Sequence, residues 1–221
     1  NLNATESKSN SSIFSTENTI VMGILNITND SFYDGGKYLE EEQIILRCQN
    51  MLDEGASIID IGAQSSRPGA TQISSEEELK RILPTIKLLK NSFHNIIISI
   101  DTFWAKTASM CIQAGANVIK DISAGELDEN MFSTIAKLNT TYIMMHMKGT
   151  PKNMQKNPSY DDVTKETITY FKDKIRRLNK LGFYNIVIDP GFGFGKDIKH
   201  NYQLLNNLEA LKTLQLPILV G

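Results

Sequence analysis

A loop over residues 26–36 holds several groups that could do chemistry together. It contains the Asn26 amide, the Asp30 and Asp34 carboxylates and the Phe32 ring, and it ends in two glycines. Amide and carboxylate oxygens suit a hard divalent cation, and a glycine-hinged loop can close over a ligand. We therefore expect a mobile loop that binds a cation and covers an aromatic substrate. The alternative is a polar loop of ordinary turn residues.

Four predicted strands end in an aspartate. These residues are Asp60, Asp101, Asp121 and Asp189, and each follows a short, mostly apolar run. Because the carboxyl ends of parallel strands meet at one edge of a sheet or one mouth of a barrel, we expect these carboxylates to line one cavity. Converging acids require a counter-charge, a metal ion or a donor-rich ligand such as an amino-pyrimidinone. Since aspartate also caps helices, we expect at least one to be structural.

A second loop follows the second predicted strand and contains Ser65, Ser66, Arg67 and Pro68. Two hydroxyls and a guanidinium form a good phosphate-binding set, and proline stiffens the loop that carries them. Read in isolation, these residues are equally compatible with a surface loop that carries one arginine.

Two further strand-end segments could line a pocket. Segment 189–196 is not a nucleotide-binding loop, because Lys196 interrupts the G-x-G-x-x-G pattern and Pro190 replaces a required glycine. We expect its glycines to let the backbone approach a flat ligand beside Asp189. Three methionines surround His146, for which a structural and a catalytic role are both open, and should form an adaptable pocket wall. They are Met144, Met145 and Met147.

Apolar runs alternate with amphipathic segments along the whole chain. The predicted strands are 20–25, 57–61, 96–100, 117–120, 141–145, 185–189 and 217–220. The predicted helices are 39–54, 75–91, 103–114, 128–138, 162–181 and 198–211. The strands are continuously apolar, as in parallel sheets buried on both faces. This order fits an open doubly wound sheet or a (β/α)₈ barrel, and the lack of a dinucleotide loop after the first strand weakens the former.

We expect an α/β fold of the (β/α)₈ TIM barrel type over residues 19–221, truncated after the seventh strand, with the polar residues 1–18 as a flexible arm. The formal net charge of −2 predicts no nucleic-acid partner, and the strand-sized apolar runs predict no membrane span. Cys48 and Cys111 fall in helical register with apolar residues. We expect buried free thiols and a cytoplasmic protein.

Five segments, in order, closely resemble the dihydropteroate synthase family. They are residues 22–32, 60–69, 99–102, 145–149 and 189–196. The resemblance implies a pterin-binding barrel, typically a homodimer, that acts in folate synthesis. Such enzymes join p-aminobenzoate to hydroxymethyl-dihydropterin pyrophosphate and release pyrophosphate, with Mg²⁺ as cofactor.

The same resemblance implies a role for individual residues. Four would bind the pterin: Asp101, Lys120, Met145 and Asp189. Asn26 would bind Mg²⁺ together with the pyrophosphate, which Ser66 and Arg67 would also contact. Phe32 and Pro68 would help to form the aminobenzoate pocket. The residues assigned to catalysis are Asn26, Arg67 and Asp101.

Three departures from the family pattern leave alternatives open. Asn29 stands where the family usually has proline, and Lys120 stands where it usually has a pterin-binding asparagine. The Ser-Arg-Lys and Arg-x-His segments that bind substrate late in the family are absent from the sequence. The alternatives are a methyltetrahydrofolate–corrinoid methyltransferase, which the phosphate-type loop at Ser66 and Arg67 disfavours, and a non-catalytic pterin-binding relative.

Overall fold

A computed structural model describes residues 19–27, 36–64, 72–150, 153–155 and 157–221. The predicted arm over residues 1–18 lies outside this range. So do most of the two functional loops, including Phe32 in the first and Ser66, Arg67 and Pro68 in the second. The functional residues within the described ranges therefore lie on the strands and on the loops that follow β3 to β6.

Strands and helices alternate as the sequence predicts. The strands are β1 (Val21–Asn26), β2 (Ala56–Gly62), β3 (Ile97–Asp101), β4 (Val118–Asp121), β5 (Thr141–Met145) and β6 (Ile186–Asp189). The α-helices are α1 (Gly36–Asp53), α2 (Ser75–Ser92), α3 (Ala105–Gln113), α4 (Met131–Leu138), α5 (Val163–Lys180) and α6 (Ile198–Asn206), and a 3₁₀ helix follows at Leu208–Leu214. None of the helices in these described ranges is both long and apolar enough to cross a membrane.

The six strands are all parallel and lie side by side in chain order, from β1 to β6. An inner apolar cluster joins Val118, Ile143 and Val187 to Met22 of β1. Because β1 shares this interior cluster with β4, β5 and β6, the sheet curls round. The strands also follow one another in chain order without the reversal of a doubly wound sheet, so the fold is of the (β/α)₈ barrel type and the doubly wound alternative is wrong.

The predicted seventh strand is reduced to a single parallel bridge, between Ile188 of β6 and Ile218. The backbone N–H of Ile188 donates to the Pro217 carbonyl, and the N–H of Leu219 donates to the Ile188 carbonyl. Pro217 has no N–H that could donate to a neighbouring strand, and within the described residues β6 is the strand that pairs with this segment. The segment is therefore hydrogen-bonded like the start of a strand but is too short to be assigned as one.

The helices cover the outside of the sheet and enclose the main apolar core. Helix α2 begins at Ser74, whose side chain accepts a hydrogen bond from the Glu77 N–H, and three glutamates follow in the first turn. Both features stabilise a helix N-terminus. The thiols of Cys48 and Cys111 are free and buried in this layer, as predicted. The polar groups described next lie inside the barrel and at its carboxyl end.

Candidate active site

A buried lysine lies among the carboxylates at the carboxyl end of the barrel. Lys120 of β4 pairs in register with Asp101 of β3, and its Nζ lies 2.7 Å from Asp101 Oδ2. The same Nζ lies 3.3 Å from Oδ2 of Asp60, on β2. The exposed fraction of the side chain rises from 2% at Asp60 to 14% at Lys120 and 29% at Asp101. Asp60 therefore lies beneath the ion pair, and Asp101 lies nearest the solvent.

Charges and burial oppose one another in this cluster. Burial raises the pKa of Asp60, and the positive charge of Lys120 partly offsets the rise. Burial alone would lower the pKa of Lys120, but Asp101 and Asp60 outweigh it and hold the pKa above its ordinary value. Lys120 is therefore a permanent cation, and its charge offsets part of the cost of burying the Asp60 carboxyl.

Asp189 completes the group from the far side of the barrel. Its Oδ1 accepts a hydrogen bond from the Gly191 N–H at 2.8 Å. Burial raises the pKa of Asp189, and the Gly191 hydrogen bond and the Lys120 charge oppose that rise. One carboxylate oxygen is thus fixed by the backbone, which orients the group.

Asn26 ends β1 next to this cluster. In register, Asn26 pairs with Gly62 of β2, and Gly62 pairs with Asp101 of β3. A Cβ at Gly62 would lie 3.3 Å from Asn26 Oδ1 and 3.6 Å from Asp101 Cβ. The Asn26 amide and the Asp101 side chain therefore approach each other across Gly62, where a side chain would crowd the Asn26 oxygen.

Asp121 corrects the expectation that all four strand-end acids line one cavity. Its carboxylate accepts hydrogen bonds from the backbone N–H and the hydroxyl of Ser123 and from the Gly125 N–H. It also accepts one from the Tyr142 hydroxyl at 2.7 Å. Asp121 follows Lys120 directly, so the alternation along β4 turns its side chain to the outer face. It is structural, but it organises the turn after β4 and does not cap a helix, as we had expected of at least one of the four.

Two glycines after β6 have a packing role that the sequence did not predict. A Cβ at Gly191 would overlap the carbonyl oxygen of His146, and one at Gly195 would overlap that of Lys148. Both glycines also have positive φ angles, of 68° and 63°. They therefore let the loop after β6 lie directly on the loop after β5. Lys196 joins the same two loops, because its Nζ donates to the carbonyls of His146, Gly191 and Phe194.

Apolar side chains form one wall of the mouth. Met145 and Met147 pack there with Phe103, Ile122 and Met154. Met144 instead packs in the outer core, because it points to the other face of β5. His146 is also turned outward, 4% exposed, and its ring meets Tyr170 edge-on. Burial, with the charges of Lys196 and Lys148, lowers its pKa to about 3, so it is a neutral structural residue.

Three polar residues of this region were assigned no functional role from the sequence. Asp60 was recognised only as a strand-end acid, and Lys196 only as a break in a glycine pattern. The third, Glu78, is fully buried on α2 beside the last residues of β3, and its Oε2 accepts a hydrogen bond from Thr102 Oγ1 at 2.6 Å. The sequence does indicate that Glu78 is unusual. It lies next to Leu79 and one turn before Ile82, among the apolar positions of an amphipathic helix, where a glutamate is not expected. Within the residues described, no three His, Cys, Asp or Glu side chains cluster as a metal site.

The fold and the site together define a class of protein, the (β/α)₈ barrels with a cluster of charged side chains at the carboxyl ends of their strands. The sequence profile of the family described as "Pterin binding enzyme" matches residues 22–221. The dihydropteroate synthase of Clostridium beijerinckii is 41% identical over 207 residues, which are 93% of this chain and 74% of that protein. The chain belongs to the dihydropteroate synthase family of pterin-binding enzymes.

Solved structures agree with this assignment. The dihydropteroate synthase of Yersinia pestis in a sulfonamide drug complex superposes with a TM-score of 0.84 and 42% identity, over 91% of this chain and 74% of that one. The enzyme of Xanthomonas albilineans in complex with 7,8-dihydropteroate has a TM-score of 0.81 and 33% identity, over 96% and 75%. Four longer curated relatives are folate synthesis proteins, and the chain spans only 26% to 46% of their length.

Proposed function

We propose that this barrel carries out the dihydropteroate synthase reaction. In that reaction the amine nitrogen of p-aminobenzoate forms a bond to the methylene carbon of a dihydropterin, the C–O bond to pyrophosphate breaks, and the amine loses a proton. The observation that carries the proposal is the cluster of Asp101, Lys120 and Asp189 at the barrel mouth, in a chain of this family. The related enzyme crystallised with 7,8-dihydropteroate supports the same product.

The pterin would lie at the mouth, between the carboxylates and the apolar wall. Asp101 and Asp189 offer acceptor oxygens to its N–H donors, and Met145 packs beside Asp189, its register partner on the next strand. A largely apolar pocket with a few converging polar groups is the usual form of a small-molecule site. The acids would face the edge of the flat ring, where hydrogen bonds from its N–H donors would fix its orientation.

Asn26 would hold a Mg²⁺ ion through its side-chain oxygen. A side chain at Gly62 would crowd Asn26 Oδ1, since a Cβ there would lie 3.3 Å from it, and Asp101 borders the same position. Magnesium typically keeps several waters and takes few protein oxygens together with substrate phosphates, so one amide oxygen is a suitable donor set. When bound, the ion would neutralise charge on the pyrophosphate as it leaves. Asn26 would hold the ion and so position the leaving group, which is its catalytic role here.

The leaving pyrophosphate and the second substrate are assigned to the two loops. Ser66 and Arg67 would bind the phosphates, and the guanidinium would stabilise the charge that grows as the C–O bond breaks. Phe32 and Pro68 would enclose p-aminobenzoate. An aryl amine is nucleophilic when neutral, so the reaction requires positioning and charge stabilisation more than a strong base.

We further propose a cytoplasmic location and a homodimer. The buried free thiols Cys48 and Cys111 suit a reducing compartment. The homodimer rests on family membership alone. Sedimentation equilibrium that gives the mass of a single chain at micromolar concentration would contradict it.

Turnover tests the proposed function. Dihydropterin pyrophosphate, p-aminobenzoate and Mg²⁺ are incubated with the protein, and dihydropteroate and pyrophosphate are quantified together. We expect the two products in a 1:1 ratio and no product when p-aminobenzoate is omitted. Tight pterin binding without product would instead identify a non-catalytic relative. Methyl transfer from methyltetrahydrofolate would identify the corrinoid-linked class.

A further inference from the structure

Lys196 is buried between the loops that follow β5 and β6, and the residue is 2% exposed. Its Nζ donates hydrogen bonds to the carbonyl oxygens of Gly191 at 2.8 Å, Phe194 at 3.1 Å and His146 at 3.3 Å. An ammonium group has three N–H donors and a neutral amine has two, so three carbonyl partners suit the charged form. The ammonium is therefore held by the backbone of both loops.

Two of these hydrogen bonds connect Lys196 to Asp189. Gly191 accepts from Lys196 through its carbonyl, and its N–H donates to Asp189 Oδ1 at 2.8 Å. His146 accepts from Lys196 in the same way, and its N–H donates to the main-chain carbonyl of Asp189 at 2.9 Å. Lys196 therefore holds two residues that bond to Asp189, one to its carboxylate and the other to its backbone.

The charge of Lys196 acts on the same carboxylate. Burial raises the pKa of Asp189, the charges of Lys120 and Lys196 oppose that rise, and Asp101 adds to it. Burial lowers the pKa of Lys196 to about 7, against the effect of Asp189. Lys196 is therefore a cation in the acidic range where an aspartate takes up its proton. The other titratable groups on the elements packed around it are His146, Lys148 and Tyr160 after β5, and Asp197 and His200 at the start of α6.

We propose that Lys196 is a positioning residue, which orients the Asp189 carboxylate through the backbones of Gly191 and His146. This inference rests on the proposed pterin-binding function, in which Asp189 accepts hydrogen bonds from the ring. Lys196 is too buried to take part in that contact itself. Its positive charge gives it a second effect, because a cation beside a carboxylate favours the ionised form that accepts from ring N–H donors.

The first measurement is an NMR titration of the free protein with isotope-labelled aspartate carboxyls, in which Asp189→Asn identifies the Asp189 signal. In Lys196→Met the pKa of Asp189 should rise by about one unit, because the nearby cation is lost. Lys196→Gln keeps two N–H donors without the charge and should show the same rise, so the result does not depend on one variant. Lys90→Met is the matched control, since Lys90 Nζ donates to the Ile96 carbonyl at 2.9 Å at the opposite end of the barrel. An unchanged pKa of Asp189 in both Lys196 variants would overturn the proposal.

Calorimetric titration with 6-hydroxymethyl-7,8-dihydropterin measures the consequence for binding. At neutral pH the affinity should fall about tenfold in Lys196→Met and less in Lys196→Gln, which keeps part of the hydrogen bonding. On acidification the affinity falls as Asp189 takes up a proton, and in both variants this fall should begin about one pH unit higher than in the wild type.

The pH profile separates positioning from a general loss of structure. A loss of affinity by the same factor at every pH would overturn the proposal, because it would show that Lys196 does not act through the Asp189 carboxylate. Failure of the wild-type protein to bind the dihydropterin at any pH would instead contradict the proposed function. The NMR titration of the free protein would still decide whether Lys196 acts on Asp189.

Discussion

The buried carboxyl of Glu78, on α2, accepts a hydrogen bond at 2.6 Å from the hydroxyl of Thr102, the residue directly after Asp101. The same hydroxyl accepts a hydrogen bond from the Trp104 N–H at 3.1 Å, just before α3. The Thr102 N–H in turn donates to the Lys120 carbonyl. Glu78 is therefore linked through Thr102 to both members of the ion pair at the barrel mouth, and we assign it as a positioning residue.

The first prediction concerns the pH dependence of stability at Glu78. Burial raises its pKa to about 7 from 4.5. Between these values the folded protein holds a proton that the unfolded chain has lost, so this group makes stability fall as pH rises from about 4.5 to about 7. In urea denaturation, the wild-type protein should lose roughly 2 kcal/mol more than Glu78→Gln between pH 5 and pH 8. Glu77→Gln, at a half-buried position on the same turn, should keep the wild-type dependence. An unchanged slope in Glu78→Gln would refute the assignment.

The second prediction compares two glycines in one loop. Gly191 and Gly193 have similar positive φ angles, of 68° and 80°, but an added Cβ meets the His146 carbonyl at Gly191 and open space at Gly193. Gly193→Ala should therefore cost only the left-handed backbone penalty, about 1–2 kcal/mol. Gly191→Ala should cost several kcal/mol, and it should weaken pterin binding because Asp189 bonds to the Gly191 N–H. Equal free energies of unfolding for the two variants would show that the close contact between Gly191 and the His146 carbonyl does not contribute to stability.

The third prediction concerns Arg67, which we assign to the pyrophosphate. Arg67→Ala should lower kcat by about a hundredfold or more, since the guanidinium would act on charge that develops in the transition state. Its affinity for 6-hydroxymethyl-7,8-dihydropterin, which lacks the pyrophosphate, should remain within about twofold of the wild-type value. Lys106→Ala, which removes an exposed cation paired with Glu76, is the control for a general loss of positive charge. A similar loss of affinity for both pterins would point to a role in the pterin pocket.

The fourth prediction is that p-aminobenzoate binds second. Its pocket is assigned to two loops, and pyrophosphate with Mg²⁺ is expected to bridge them through Asn26 and Arg67. Calorimetry should give at least tenfold tighter binding of p-aminobenzoate when pyrophosphate and Mg²⁺ are present. Pyrophosphate without Mg²⁺ is the control and should have a smaller effect. The same affinity under all three conditions would mean that the pocket exists before the first substrate binds.

The sequence predicted the elements well because their signals are local. Apolar runs of strand length and capped amphipathic segments predicted all six helices and the first six strands. The sequence could not predict which face of the sheet the Asp121 side chain lies on. That depends on the register of β4, and a shift of one residue moves every side chain of a strand to the opposite face. The packing role of Gly191 could not be predicted because its partner, His146, is 45 positions earlier in the chain and meets it only after folding. The Lys120 ion pair likewise depends on which strands become neighbours.

The most direct test of the account is titration of the protein with dihydropterin pyrophosphate and Mg²⁺, beside Asp189→Ala and the outward-facing Asp173→Ala. Removing an acid that accepts ring N–H donors leaves those donors buried and unpaired, which typically costs about 2–3 kcal/mol. We therefore predict an affinity lower by about thirtyfold to a hundredfold in Asp189→Ala and unchanged in Asp173→Ala, whose parent residue forms a surface ion pair with Arg176. Unchanged affinity in a folded Asp189→Ala protein would contradict the claim that the barrel mouth binds the pterin.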